Sequence, residues 1–247
     1  PADDPLSEPK DVIKAMFFDP DGFVQVESAQ LSRNTILKLQ QIISSPFANN
    51  SFQQIIITKE VLRDPDSSLT LRKPVAYSTN DLLSLLEARV PDTVRRSLDQ
   101  NYMLGVHVKA NNEPYLLFRI TNFNNVFAGM FQWERTLAKD MESIFFRNLS
   151  VLNKELTNPT VPTPIFVSTT TDSGTSTTIE LPQRTTSNTK IFEDEVIANT
   201  DARVLKNQSG KTVFFYTYID EDYLFFGTDV TTFRQTRDRL RTAKLVL

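Results

Sequence analysis

Hydrophobic positions along the chain switch between a period of two and a period near 3.6, and the switches mark out its elements. Ile13–Phe18 and Phe23–Val26 read as extended segments around the turn Asp19-Pro20-Asp21-Gly22, with Gly22 supplying a positive φ. Ser28 then caps a helix that carries Leu31, Ile36, Leu39, Ile42 and Ile43 on one face, and Pro46 stops it. Gln53–Thr58, with the triplet Ile55-Ile56-Ile57, has the continuous apolar run of a fully buried central strand. A polar stretch at Asp64–Ser68 follows. Thr79 or Asn80 caps a helix over Asp81–Val90, and Asp92 caps a short one through Leu98.

The same design recurs downstream. Tyr102–Lys109 and Tyr115–Thr121 are predicted strands joined by Ala110–Pro114, whose asparagines tolerate a left-handed turn. Asn122 caps a long helix from Phe123 to about Phe146. Val126, Phe127, Met130, Trp133, Leu137, Met141, Ile144 and Phe145 form its inner face. Ala202–Lys206 and Thr212–Ile219 flank the hairpin turn Asn207–Gly210, Asp220–Asp222 turns into Tyr223–Gly227, and a final helix runs through Leu240. Gly105 and Gly129 fall inside a strand and a helix, so close strand–helix approach is expected there.

These elements predict an α+β fold of mixed or antiparallel sheets built from repeated hairpin-then-helix (ββα) units, with helices packed on the sheet. Residues 1–11, with three prolines and three acids in the first nine, read as a tether. Residues 12–156 hold two ββα-like units, and 191–247 form a C-terminal ββ(β)α unit on the same core. Between them, 157–190 holds 12 Thr and four Pro against two small apolar islands, the composition of a flexible insertion or linker; a long β-ribbon is the alternative.

Composition narrows the chemistry. Of 247 residues none is Cys and one is His, which removes disulfides, thiolate metal sites and every multi-histidine site. A net charge of −3 gives no global field for nucleic acid or an anionic membrane. Six glycines, none spaced for a dinucleotide or phosphate loop, leave no such cofactor motif. No catalytic residue, cofactor or metal ligand is therefore expected. The opening lacks a signal-peptide pattern, and the chain reads as a fragment or processed form with a missing upstream segment that could carry an anchor.

The remaining constellations read as structural. His107 lies in a strand with no nucleophile elbow elsewhere in the chain. The acids at Asp19/Asp21, Glu193–Glu195 and Asp220–Asp222 are expected at turns, where Asp bonds its own backbone. The basic run Arg234, Arg237, Arg239, Arg241 and Lys244 complements the C-terminal end of a helix as a solvated face. Sequons at Asn49, Asn148 and Asn207 carry no secretory context.

Three strings carry a family resemblance. Val90-Pro-Asp-Thr-Val-Arg-Arg-Ser-Leu-Asp-Gln-Asn-Tyr-Met-Leu-Gly-Val-His-Val108, Asn124-Asn-Val-Phe-Ala-Gly-Met-Phe-Gln-Trp-Glu134 and Ile191-Phe-Glu-Asp-Glu-Val-Ile197 resemble uncharacterised proteins of candidate-phyla (CPR/Patescibacteria) bacteria. The resemblance spans roughly 80–240. It implies the soluble part of a membrane-anchored, extracytoplasmic envelope protein with one N-terminal transmembrane helix and a tether. It attaches no activity and assigns no site residue.

The expected function is that of a non-enzymatic extracytoplasmic domain binding a protein or envelope polymer, with contact to a membrane only through the inferred anchor. The alternatives are a subunit of a surface filament or secretion assembly, and a cell-wall glycan hydrolase working through carboxylates such as Asp19, Glu193 and Asp220. The 18 phenylalanines include the doublets Phe17-Phe18, Phe145-Phe146, Phe214-Phe215 and Phe225-Phe226. In a strand, adjacent side chains point to opposite faces, so Phe214, Phe215, Phe225 and Phe226 need cover on both sides or leave an aromatic face for a partner.

Overall fold

The computed structural model describes residues 17–28, 33–62, 72–150, 166–170, 176–180 and 192–246. The predicted tether, most of the predicted strand at 13–18, Leu31, the 64–68 stretch and most of 157–190 lie outside them. The order is β1 (Gly22–Glu27), α1 (Arg33–Ile43), β2 (Ser51–Leu62), β3 (Arg72–Ala76), α2 (Thr79–Leu85), α3 (Asp92–Arg95), β4 (Leu98–Val108), β5 (Asn112–Ile120) and α4 (Phe123–Asp140). There follow β6 (Phe166–Thr170), β7 (Ser176–Glu180), β8 (Glu193–Ile197), β9 (Thr200–Lys206), β10 (Thr212–Ile219), β11 (Tyr223–Gly227) and α5 (Val230–Val246). No helix among the described residues is long and apolar enough to cross a membrane.

Nine strands form one mixed sheet in the order β1-β2-β4-β5-β11-β10-β9-β8, with β3 alongside the far half of β2. Residues 51–55 of β2 pair with β4 and residues 58–62 with β3, so one long strand serves two neighbours on the same edge. Every described pairing in it is antiparallel except β1 with β2. β6 and β7 form a separate two-stranded antiparallel ribbon.

Period-two alternation sorts the sheet's side chains into two cores. Leu104, Val106, Leu116, Phe118, Phe214, Leu224 and Phe226 join Leu39 and Ile43 of α1, Leu82 of α2, Val94 of α3 and Met130, Trp133 and Leu137 of α4. On the opposite face Met103, Tyr115, Leu117, Val204, Phe215 and Phe225 pack with Phe18, and with Phe233 and Leu240 of α5. The sheet is thus a middle layer, with α1 to α4 on one side and α5 plus the Phe17-Phe18 segment on the other.

Several local expectations change. β1, α1 and β2 make a parallel crossover, and the strand predicted before β1 lies mostly outside the described residues; β4-β5-α4 is a hairpin followed by a helix, and four consecutive antiparallel strands, β8 to β11, precede α5. Phe17 and Phe18 lie in a bend. Gly22 opens β1 opposite Gln53, and the only described glycine with positive φ is Gly210 in the β9–β10 turn. Ser78 caps α2 through a capping box with Asp81, in place of Thr79 or Asn80. Close approach does occur at both interior glycines, with other partners than expected. A Cβ on Gly105 would lie 2.6 Å from the Gln53 carbonyl of the neighbouring strand, and one on Gly129 would meet Thr93 and Val94 at the start of α3.

Candidate functional site

α4 lies over the sheet beside the wing formed by β8, β9 and β10, to which the Arg203–Glu134 pair ties it. Inward residues of α4 recur at three and four positions, and Asn122 caps the helix by accepting from the Asn125 N–H. Phe123, Phe127 and Phe131 follow at intervals of four along its flank, which stacks them in a row beside the open wing. Phe127 is 46% exposed and Phe131 50%. The corresponding sheet face presents Tyr216 and Tyr218 from β10, Arg203 and Asp201 from β9, and Asp194 and Val196 from β8; Val196 is 67% exposed. Phe127 and Phe131 together with these sheet residues line a groove of about 450 Å³.

Ring contacts fix the floor. Phe123 and Phe127 are 5.7 Å apart, Phe127 and Phe131 5.5 Å, and Tyr218 sits 5.1 Å from Phe123 and 5.9 Å from Phe127. These spacings are those of edge-on and tilted aromatic pairs. The Arg203 guanidinium lies 5.5 Å over the Phe131 ring.

A hydrogen-bonded node holds the inner wall. Arg203 donates from Nε and Nη2 to the two carboxylate oxygens of Glu134, from Nη1 to Asp194 and again from Nη2 to the Phe192 carbonyl. The Tyr216 hydroxyl donates to Glu134 at 2.7 Å. The bonds to Glu134, with the nearby carboxylates, raise Arg203 above the usual guanidinium range. Burial, then the Glu134 hydrogen bond, raises Tyr216. Tyr218 is raised by burial and the same carboxylate, and its buried hydroxyl has no hydrogen-bond partner among the described residues. The rim is acidic: Asp194, Glu195 and Asp201 line the groove, and its one cation, Arg203, is engaged by Glu134 and Asp194.

The four phenylalanines singled out in the sequence do not form this surface. Phe214 and Phe226 are stacked 6.1 Å apart in the four-helix core, Phe215 and Phe225 lie under α5, and all four are fully buried. Both faces are covered at these four positions, so these rings present no aromatic face to a partner. Phe127, read as part of the inner face of α4, is the residue turned outward.

The acids are distributed among different partners. Asp21 accepts from the Phe52 N–H and from Arg239, and Asp220 pairs with Arg241. Glu193 shares Lys206 with Glu195. Asp220 and Glu221 occupy the positive-φ positions of a two-residue turn, whereas Glu193–Glu195 lie in β8 and not at a turn. Among the described residues no group of acids or histidine could hold a metal ion. The basic run of α5 is not simply a solvated face: Arg237 donates to the Ala198 carbonyl, and Arg239 and Lys244 pair with Asp21 and Asp222.

His107 is fully buried, stacked 4.3 Å from Phe52. The Thr232 hydroxyl donates to Asp229 and so accepts from Nδ1, which fixes the tautomer and leaves Nε2 unprotonated, with no partner among the described residues. Two further cavities are polar. The one of about 620 Å³ adjoins Asp140, whose carboxylate accepts from Trp133, Thr136 and the Arg89 N–H; the smaller one adjoins the β4–β5 hairpin.

Sequence reasoning missed β8 altogether, because Glu-Asp-Glu-Val-Ile has too few apolar residues to show alternation. The spacing Phe123, Phe127, Phe131 was a readable signal, but it is the same spacing that a buried stripe produces. No family model, no curated protein and no solved structure matches this chain.

Proposed function

We propose that the protein is a non-enzymatic binding domain that captures a protein partner in the groove between α4 and the β8–β10 wing. The observation that carries this reading is the pair of half-exposed rings, Phe127 and Phe131, beside a further exposed apolar residue, Val196. Among the described residues most large apolar side chains are buried on one face of the sheet or the other, and a contiguous exposed aromatic run marks an interaction surface. The node of Arg203, Glu134 and Tyr216 holds the groove's inner wall before any partner arrives, which lowers the ordering cost of binding. Placement of this domain outside the membrane on an N-terminal anchor belongs to the same proposal and is supported by the family resemblance. The pairing of β4-β5-α4 with the antiparallel strands before α5 supports reading these two blocks as copies of one hairpin-then-helix unit.

Photo-cross-linking tests the groove. A benzoylphenylalanine at position 127 or 131, in the organism that makes the protein, is expected to give one discrete adduct, and the same group at exposed Leu37 on α1 is expected to give none. Equal labelling from all three positions, or none from the groove, overturns the reading.

A further inference from the structure

We infer that the groove takes an extended basic peptide, which adds as a further strand to the outer edge of β8 and lays cationic side chains over the aromatic floor. This rests on the groove being the binding surface. β8 is the last strand of the sheet, and among the described residues nothing pairs with its outer edge. Its backbone N–H and C=O groups on that side are therefore a template for a strand from another chain.

Charge selects what can pair there. β8 reads Glu193-Asp194-Glu195, and Asp201 lies opposite Val196 on β9 with no ion-pair partner among the described residues. A second copy of this chain would set one acidic β8 against another, and like charges directly opposite each other destabilise a strand pair. A strand bearing Lys or Arg at alternate positions meets the opposite situation. Its side chains on the groove side reach Asp194, Asp201 and the faces of Phe127 and Phe131. The protein already uses that last contact internally, with Arg203 seated over Phe131. The residues between point to the opposite face of the sheet, the side of Glu193, Glu195 and Ile197.

The probe is a fluorescein-labelled octapeptide alternating Lys and Val, followed by anisotropy on the full chain. Three companions accompany it: the same peptide with Glu for Lys, the same peptide N-methylated on alternate backbone nitrogens, and tetramethylammonium as competitor. Saturable binding of the Lys peptide is expected, weakening with added salt, with no binding of the Glu or N-methylated forms. Phe131→Ala and Asp201→Lys are each expected to weaken binding about tenfold. Both positions are exposed, so the melting temperature stays near that of the parent and a lost interaction is not a lost fold.

Absence of saturable Lys-peptide binding overturns the inference, as does equal binding of the Glu form or indifference to Phe131→Ala. Full displacement by tetramethylammonium, with no effect of N-methylation, assigns the groove to a small quaternary cation and also overturns it. Sedimentation showing a dimer that Phe131→Ala abolishes assigns the edge to a second copy, with the same result. If cross-linking from position 127 or 131 yields an adduct while the Lys peptide fails to bind, the groove remains a binding surface and only the basic strand is rejected. If both fail, both readings fall.

Discussion

Arg203 on β9 and Glu134 on α4 meet through two parallel hydrogen bonds of 2.8 and 2.9 Å, tying the outer wing of the sheet to the helix above it. The pair is largely buried, with side chains 20% and 13% exposed, and Glu134 also accepts from Tyr216. Glu134→Ala leaves a guanidinium and a phenol without their acceptor, and is expected to cost about 2–3 kcal/mol in urea unfolding. Glu134→Gln keeps one acceptor oxygen and is expected to lose less. Equal losses would mean that the pair contributes through packing alone.

Core and groove aromatics should separate cleanly. Phe226→Ala removes a ring in contact with Phe118, Trp133 and Phe214, and is expected to cost about 3–5 kcal/mol. Phe131→Ala removes a half-exposed ring and is expected to cost under about 1 kcal/mol. Thermal denaturation of the two variants decides the matter; comparable losses would place Phe131 in the core.

The two interior glycines should respond differently to alanine. At Gly105 the added carbon meets the Gln53 carbonyl, part of the backbone of the adjoining strand, which cannot rotate away. A loss of about 1–3 kcal/mol is expected by chemical denaturation. At Gly129 the obstacles are largely the side chains of Thr93 and Val94, and alanine favours a helix by about 1 kcal/mol. Gly129→Ala is therefore expected to cost less than Gly105→Ala.

Acid should destabilise the protein in two stages. Burial, with the Lys109 and Arg239 charges, holds His107 below its ordinary value of 6.5, opposed by Asp229 and Asp21. A proton would have to go on Nε2, which has no acceptor among the described residues. The unfolded chain takes up that proton near pH 6.5 and the folded chain only at lower pH. This contribution is complete above 6.5 and drains away as pH falls from there towards the folded value. Despite the upward push of burial, hydrogen bonds and cations hold Asp21, Asp81 and Asp229 below 3.8. Their contribution is present above 3.8 and is lost as pH falls through the folded values. Melting temperature measured from pH 7.5 downwards checks this: His107→Gln should flatten the stretch below 6.5 and leave the steeper loss below 4 intact. An unchanged slope in the upper stretch would mean that His107 takes up its proton at the same pH in the folded and the unfolded chain.

Much of the fold was legible because local period and burial agree. The alternation in Tyr102–Val108 splits Tyr102, Leu104, Val106 and Val108 from Met103 and His107, as the two cores require. The α4 stripe and the strands β9 to β11 were readable for the same reason. Pairing partners were not, since β1 carries nothing that distinguishes a parallel neighbour from an antiparallel one. The groove was obscured by a different ambiguity. Phe127 has the helical spacing of a core residue, yet it lies on the flank of α4 that borders the groove; conversely Phe214, Phe215, Phe225 and Phe226 carry the apolar weight that suggests a surface patch, and α5 closes over half of them.

The seam between β5 and β11 has a consequence for how the chain folds. Tyr115 pairs with Gly227, Leu117 with Phe225 and Arg119 with Tyr223, so the middle of the sheet joins segments separated by roughly a hundred residues. During synthesis β5 emerges long before its neighbour, and until β11 arrives its row of amides faces open solution beside Leu116, Leu117 and Phe118. Such non-local closure is slow, because the loop must be drawn in before any pairing rewards it. An unpaired apolar strand edge in that interval is where misassembly begins. A nascent chain halted anywhere before residue 223 therefore presents its stickiest edge at what becomes the centre of the finished sheet.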